Sequence, residues 1–130
     1  MDRKLISAGA LFGMIAIILG AFGAHALKQV LATEQLVTFE TGVRYQMYHA
    51  LFLIFIGMMA SLSEKTKKTI YFLVLSGISL FSGSIYLLAT NSITSFDFKV
   101  IGFVTPNGGL LLILAWGVLF INFVKKKQQN

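Results

Sequence analysis

Four stretches of this chain are apolar for long enough to cross a bilayer, and polar residues gather between them. Leu5–Leu27 carries no formal charge. It runs for roughly 23 residues, or ~34 Å of helix, against a hydrocarbon core of about 30 Å. Tyr45–Leu62, Ile70–Ala89 and Pro106–Val124 repeat the pattern. The last has a marked start: Thr105 suits a cap, and Pro106 suits the first helical position, where no backbone N–H is needed. The pattern therefore predicts an all-α fold, an integral membrane four-helix bundle occupying residues 1–130 as one membrane domain.

The first run ends in "GAFGAHALK", where Ala24-His25-Ala26 imitates a small-x-small cleavage signal. An export peptide has an apolar region of about 7–15 residues, and this run is longer, so it is expected to stay as a span.

The polar stretches are not all simple loops. In Thr33–Arg44, "TEQLVTFETGVR", Leu36, Phe39 and Val43 recur at helical spacing. With Thr33 as its cap, this stretch reads as an amphipathic interfacial helix on the outer side, leading into the second span. Glu40 and Arg44 stand four apart, in the favourable order for an ion pair. In the connection Asn91–Val104, Phe96, Phe98 and Val100 alternate with Asp97 and Lys99. That suits a strand, or a segment packed against the bundle in the interface.

Composition sharpens the class. Apolar residues make up 56% of the chain and charged residues 12%, too oily for an ordinary soluble domain. There is no cysteine, which excludes disulfides and thiolate-held metals. The net charge is +6, but the basic residues sit at the edges of apolar runs with no aromatic interleaving, so nucleic acid is not expected as a partner.

Arg3, Lys4, Lys65, Lys67, Lys68, Lys125, Lys126 and Lys127 fall on one side of a four-span chain, and Lys28, Arg44 and Lys99 on the other. By the positive-inside rule both termini face the cytoplasm, in a bacterial plasma membrane crossed several times. Tyr45, Tyr48 and Tyr86 then fall near the outer interface and Tyr71 near the inner one.

Small residues mark faces on which backbones can approach closely. Gly9, Gly13, Ala16, Gly20 and Ala24 line one side of the first span; Ser76, Ser79 and Gly83 line one side of the third. Gly108 and Gly109, beside Pro106, read as a packing surface too. Such faces serve packing within the chain or self-association as a homo-oligomer, and the surrounding partners are membrane lipids or another membrane protein.

Candidate chemistry is sparse. His25 and His49, the two histidines, would lie at similar depth near the outer ends of adjacent spans. They would then hydrogen-bond locally, or bind a metal with help from Glu40, or serve as the axial ligands of a haem. No acidic or basic residue lies deep within the expected spans, which removes the usual requirement for ion-coupled transport and leaves a passive pore or carrier as the alternative. No Ser/His/Asp or Gly-x-Ser-x-Gly pattern and no phosphate-cradling loop occurs. No enzyme activity and no cofactor are expected. The polar residues that remain form one outer cluster: His25, Glu40, Arg44, Tyr45, Tyr48, His49, Tyr86 and Asn107.

"GALFG…LGAFGAHALK", "FETGVRYQMYHAL" and "TPNGGLLLILAWG" together resemble the bacterial membrane proteins grouped as domain of unknown function family four-two-three, over nearly the whole chain. The resemblance implies a small multi-span inner-membrane protein and brings no catalytic role with it. Asn107 departs from the apolar residue that the family more often has between this Pro and Gly-Gly, and is placed to cap the last helix or touch an outer-side partner. The expected role is therefore non-enzymatic, exerted through packing with itself, with lipid or with a partner.

Overall fold

The computed structural model describes residues 1–93 and 102–126. The alternating residues Phe96 to Val100, and Lys127, lie outside them, and of Lys126 only the backbone is described. Four helices form: α1 (Asp2–His25), α2 (Thr33–Met58), α3 (Glu64–Ala89) and α4 (Val104–Lys126). Short 3-10 turns follow α1 at Leu27–Gln29 and α3 at Asn91–Ile93. No strand occurs among the described residues.

The helices begin earlier than hydropathy suggests, because polar residues support their first turns. Asp2 opens α1, where a carboxylate meets the positive end of the helix dipole. Ser63 caps α3, its Oγ accepting the Thr66 N–H at 3.2 Å. The lysines expected in the connection therefore stand on the first turns of α3. Thr33 is the first residue of α2 rather than its cap; Gln35 Oε1 takes the Ala32 N–H at 3.2 Å instead. Thr105 lies inside α4, and its hydroxyl pairs with that of Ser84.

The amphipathic stretch and the second span are one continuous helix of 26 residues. α1 (with the turn after it), α3 and α4 are each long and apolar enough to cross a membrane. α2, with Glu34, Glu40 and Arg44, is placed by its packing. Gly57 lies against Asp2 and Ile6, Gly9 against Ala50, Gly20 against Val43, and Gly23 against Phe39. The two helices are thus antiparallel along nearly the whole of α1, and the first turn of α2 rises past its end.

Close pairing runs α1 to α2, α2 to α3 and α3 to α4. Glycine sets the separation at both outer pairs. A Cβ on Gly9 would lie 2.6 Å from the Ala50 carbonyl oxygen, and one on Gly108 would run into the Phe81 backbone nitrogen. Lipid tails are as apolar as leucine, so this close approach, not burial from water, holds such helices together. The α1 face matches the expected stripe, except that Gly23 makes the contact and Ala24 is exposed. On α3 the expected stripe points the other way: Ser76 and Ser79 are exposed and nothing lies within 4 Å of a Cβ on Gly83. The contact with α4 uses Gly77, set against Leu112.

The starts of α1 and α3 and the last turns of α4 share one end of the bundle, the terminal end, where Asn122 Nδ2 donates to Thr66 Oγ1 at 3.3 Å. The Met1 amine lies 3.3 Å from Glu64, and the Lys67 ammonium donates to Asp2 at 2.7 Å. Lys67 is buried (3% exposed). Leu5, Leu53, Ile56, Ile70 and Val74 fill the core beside them, while Leu27, Leu31, Phe39 and Ala89 form a smaller cluster at the opposite, distal end.

The glycine contacts give a direct expectation. Gly9→Val should lower the thermal midpoint in detergent by an amount equivalent to about 1–3 kcal/mol, through forced separation of α1 and α2. Gly117→Val, at a position with nothing within 4 Å, should leave it unchanged.

Candidate functional site: a polar layer and an exposed arginine on α2

Between the two apolar clusters, α2 carries a layer of polar side chains that reach every other helix. Gln46 is buried (4% exposed). Its Nε2 donates to the Phe12 carbonyl of α1 at 2.8 Å, and its Oε1 accepts the Tyr86 hydroxyl of α3 at 2.6 Å. One turn away, Ser82 Oγ donates to the Gly42 carbonyl at 2.7 Å. A buried amide is costly when unpaired, and more so in lipid, where water cannot stand in. Here both ends of the amide are used.

His49 makes the connection to α4. Trp116 Nε1 donates to His49 Nε2 at 3.0 Å, so that nitrogen carries no proton. Nδ1 must then hold it, and it donates to the Tyr45 carbonyl at 2.7 Å. The Trp116 indole also stacks on Phe52, with ring centroids 4.1 Å apart. Neither imidazole nitrogen can ligate a metal without giving up one of these bonds.

The two histidines do not face each other. Ala50, next to His49, packs against Gly9 and Gly13, whereas His25 is the exposed last residue of α1. About a dozen residues of α1, or ~18 Å, separate the two levels. The expectation of equal depth fails because α2 begins at Thr33, so His49 is well inside the helix rather than at its start. Among the described residues no three His, Asp or Glu side chains gather where they could hold a metal ion.

The rest of the expected cluster divides. Tyr86 belongs to the interior network, its ring 5.0 Å from that of Phe39. Tyr45 and Tyr48 remain together, centroids 5.5 Å apart, on the open side of α2. Asn107 is exposed, with Nδ2 donating back to the Phe103 carbonyl at 2.9 Å. Glu40 and Arg44 do not pair. The ion pairs among the described residues are Met1 with Glu64 and Lys67 with Asp2, while Arg44 donates weakly to Thr41 Oγ1 at 3.4 Å. Arg44 is also deeper than a helix end. Its neighbour Val43 lies opposite Gly20, roughly 8 Å inside the end of α1.

Gln46, Ser82 and Trp116 are residues that the sequence reading passed over. A signal existed for each. Gln46 and Ser82 are polar within a span, which obliges them to face the interior. Trp116 is the sole tryptophan and stands mid-helix, away from the interface that indoles favour, so its N–H needs a protein partner.

Alongside the helix pair of α2 and α4 runs a groove of about 540 Å³, lined by Tyr45, Tyr48, Phe52, Phe55, Met59 and Trp116 among others. A second hollow of about 430 Å³ shares Tyr45, His49 and Trp116 and reaches Thr41.

Span-length apolar helices, glycine-mediated contacts and an internally satisfied polar layer define a small helical membrane protein. The chain belongs to the family described as "Protein of unknown function (DUF423)", whose pattern it matches over residues 19–109. It is 40% identical to "UPF0382 membrane protein SSP2132" of Staphylococcus saprophyticus, covering 95% of this chain and 98% of that one. It is 37% identical to "UPF0382 membrane protein YwdK" of Bacillus subtilis, covering 95% and 98%. It is 30% identical to "UPF0382 inner membrane protein YgdD" of Escherichia coli, covering 99% and 95%. No solved structure matches the chain.

The Gln46 node can be measured. Gln46→Leu and Tyr86→Phe should each lower thermal stability in detergent. Together they should lose less than the sum, with a coupling of about 0.6 kcal/mol and at most ~1.7 kcal/mol.

Proposed function

We propose that this protein acts without catalysis, as a four-span plasma-membrane protein that associates with a second copy of itself through α3. One observation carries the reading. The glycine face of α1 is filled by α2, whereas the matching small-residue face of α3 has nothing against it. Ser76 and Ser79 stand exposed near the middle of α3, and among the described residues neither hydroxyl has a hydrogen-bond partner. Ser79 and Gly83 are four apart, the small-xxx-small spacing at which two helices approach closely. Flanking Phe72 and Leu87 are exposed on the same side. A second α3 would take up both the hydroxyls and the open glycine.

α2 crosses with its neighbours in this reading, since it lies along α1 from Gly57 to Phe39. The exposed cations Arg3, Lys4, Lys65, Lys68 and Lys125 gather at the terminal end, which supports placing both termini in the cytoplasm. The printed name of the Escherichia coli relative, an inner membrane protein, supports the same membrane. A carrier or pore is the weaker reading. The polar side chains of the layer around Gln46 and His49 are satisfied within the bundle, Asn122 Oδ1 being the buried side-chain atom without a partner among the described residues, and Leu5, Leu53, Ile56 and Val74 close the terminal half of the core.

Two measurements test these points. Labelled copies reconstituted in liposomes should show energy transfer that falls with dilution in lipid. Gly83→Leu together with Ser79→Leu should remove it, while Gly117→Leu should not. Transfer insensitive to the α3 changes would exclude this interface. For topology, reporter fusions at the two tails should both read as cytoplasmic; tails on opposite faces would exclude four spans.

A further inference from the structure

Arg44 is the feature of the fold that neither packing nor self-association uses. Its side chain is exposed, on the side of α2 away from α1. It is placed roughly 8 Å inside the end of α1 and ~16 Å along α2 from Thr33. Its one polar contact among the described residues is Thr41 Oγ1. Thr41 lies a turn closer to the distal end, so the guanidinium reaches in that direction, as a long cationic side chain does when it seeks the headgroup layer. A cation at the helix centre is costly, and a snorkelling one costs less but still calls for an anion.

The surroundings say which kind of anion. Arg44 and Tyr48 are four apart and share one face of α2, with Tyr45 beside them. No hydrogen bond involves either tyrosine hydroxyl among the described residues, so two O–H donors stand free near the cation. These tyrosines open the groove between α2 and α4. From Tyr45 to Met59 the groove follows ~21 Å of helix, the reach of a long acyl chain. Below the tyrosines its walls are apolar, with Phe55, Met59 and Leu119 prominent. Arg44 stands next to Tyr45, just outside the groove's own lining, and an exposed cation beside the tyrosine end of an apolar trough complements an anion attached to a hydrocarbon tail. The guanidinium fork matches two phosphate oxygens.

We propose that the α2–α4 groove is a binding site for an anionic phospholipid. One acyl chain lies along Phe55 and Met59, and the phosphodiester meets Arg44 and the hydroxyls of Tyr45 and Tyr48. A phospholipid whose headgroup carries its own ammonium is a poorer occupant, because that group already neutralises the phosphate. The inference rests on the four-span placement of α2 and is independent of whether α3 self-associates.

The sole tryptophan supplies the test, since Trp116 lines the groove and is 48% exposed. The protein is reconstituted in phosphatidylcholine nanodiscs doped with a small fraction of lipid brominated on its acyl chains. Brominated phosphatidylglycerol should quench Trp116 several-fold more than brominated phosphatidylcholine at the same mole fraction. Arg44→Gln should remove that preference and Tyr48→Phe should reduce it. Arg44→Lys should keep part of it, which also shows that position 44 can change without loss of the fold. Lys28→Gln, at the same end but off the groove, should keep all of it. Soluble glycerol phosphate should not relieve the quenching; relief would identify a free-phosphate site and overturn the lipid assignment. Equal quenching by both lipids in the wild type, or a preference that survives Arg44→Gln, overturns the lipid site while leaving the membrane placement standing. No quenching by either lipid overturns the four-span placement on which the site depends.

Discussion

The architecture depends on one requirement: the polar side chains buried on α2 must find partners inside the protein, because a buried polar group left unpaired is costly. Gln46 meets it by bonding to α1 on one side and α3 on the other, and His49 by accepting from Trp116 of α4. α2 is thereby the hub, and the other three helices are arranged around the groups it must satisfy. The glycine contacts follow from this, since the Phe12 carbonyl comes within reach of Gln46 only where α1 lies against α2 without intervening side chains. The polar layer fixes which helices meet and in what register; the glycines set how closely.

The same division accounts for the two ends. At the terminal end a buried lysine is balanced by Asp2, and the exposed lysines around it remain for the surface. At the distal end the charged residues Lys28, Glu34, Glu40 and Arg44 are exposed, and none of them pairs with another among the described residues. The terminal end holds the ion pairs found among the described residues, with exposed cations around them, and the distal end presents charged groups that look outward. The open groove and the unfilled α3 face lie on different sides of the bundle, so occupancy of one does not obstruct the other.

Much of this was legible in the residues, and the failures share a cause. Hydropathy located α1, α3 and α4 because each holds an apolar stretch of bilayer length, and it located α2 from the shorter apolar run in that helix's second half. It misplaced the ends because Asp2, Ser63 and Thr33 are polar yet helix-starting, and an apolar window cannot see them. That error propagated. With the second span begun at Tyr45, His49 fell near the surface beside His25; the actual start at Thr33 puts it deep in the bundle. The pairing of Glu40 with Arg44 followed from i,i+4 spacing, which makes a contact feasible without requiring it. Small-residue stripes were visible on both α1 and α3, but composition alone does not tell an occupied face from a free one. Only the position of the neighbouring helix does that. Trp116 and Gln46 were readable in principle, as polar groups in the middle of apolar spans.

The continuity of α2 bears on how the chain enters a bilayer. α1 is apolar enough to partition alone, whereas α2 is not among the helices that meet the length and hydropathy of a span. Only a short turn, Leu27–Gln29, and a few residues join the two. On the four-span reading α2 cannot precede its partner or wait in lipid without it, because Gln46 would be stranded. The two must go in as a hairpin, with the amide already bonded to the Phe12 carbonyl, so that biogenesis and tertiary folding of this first half are a single event.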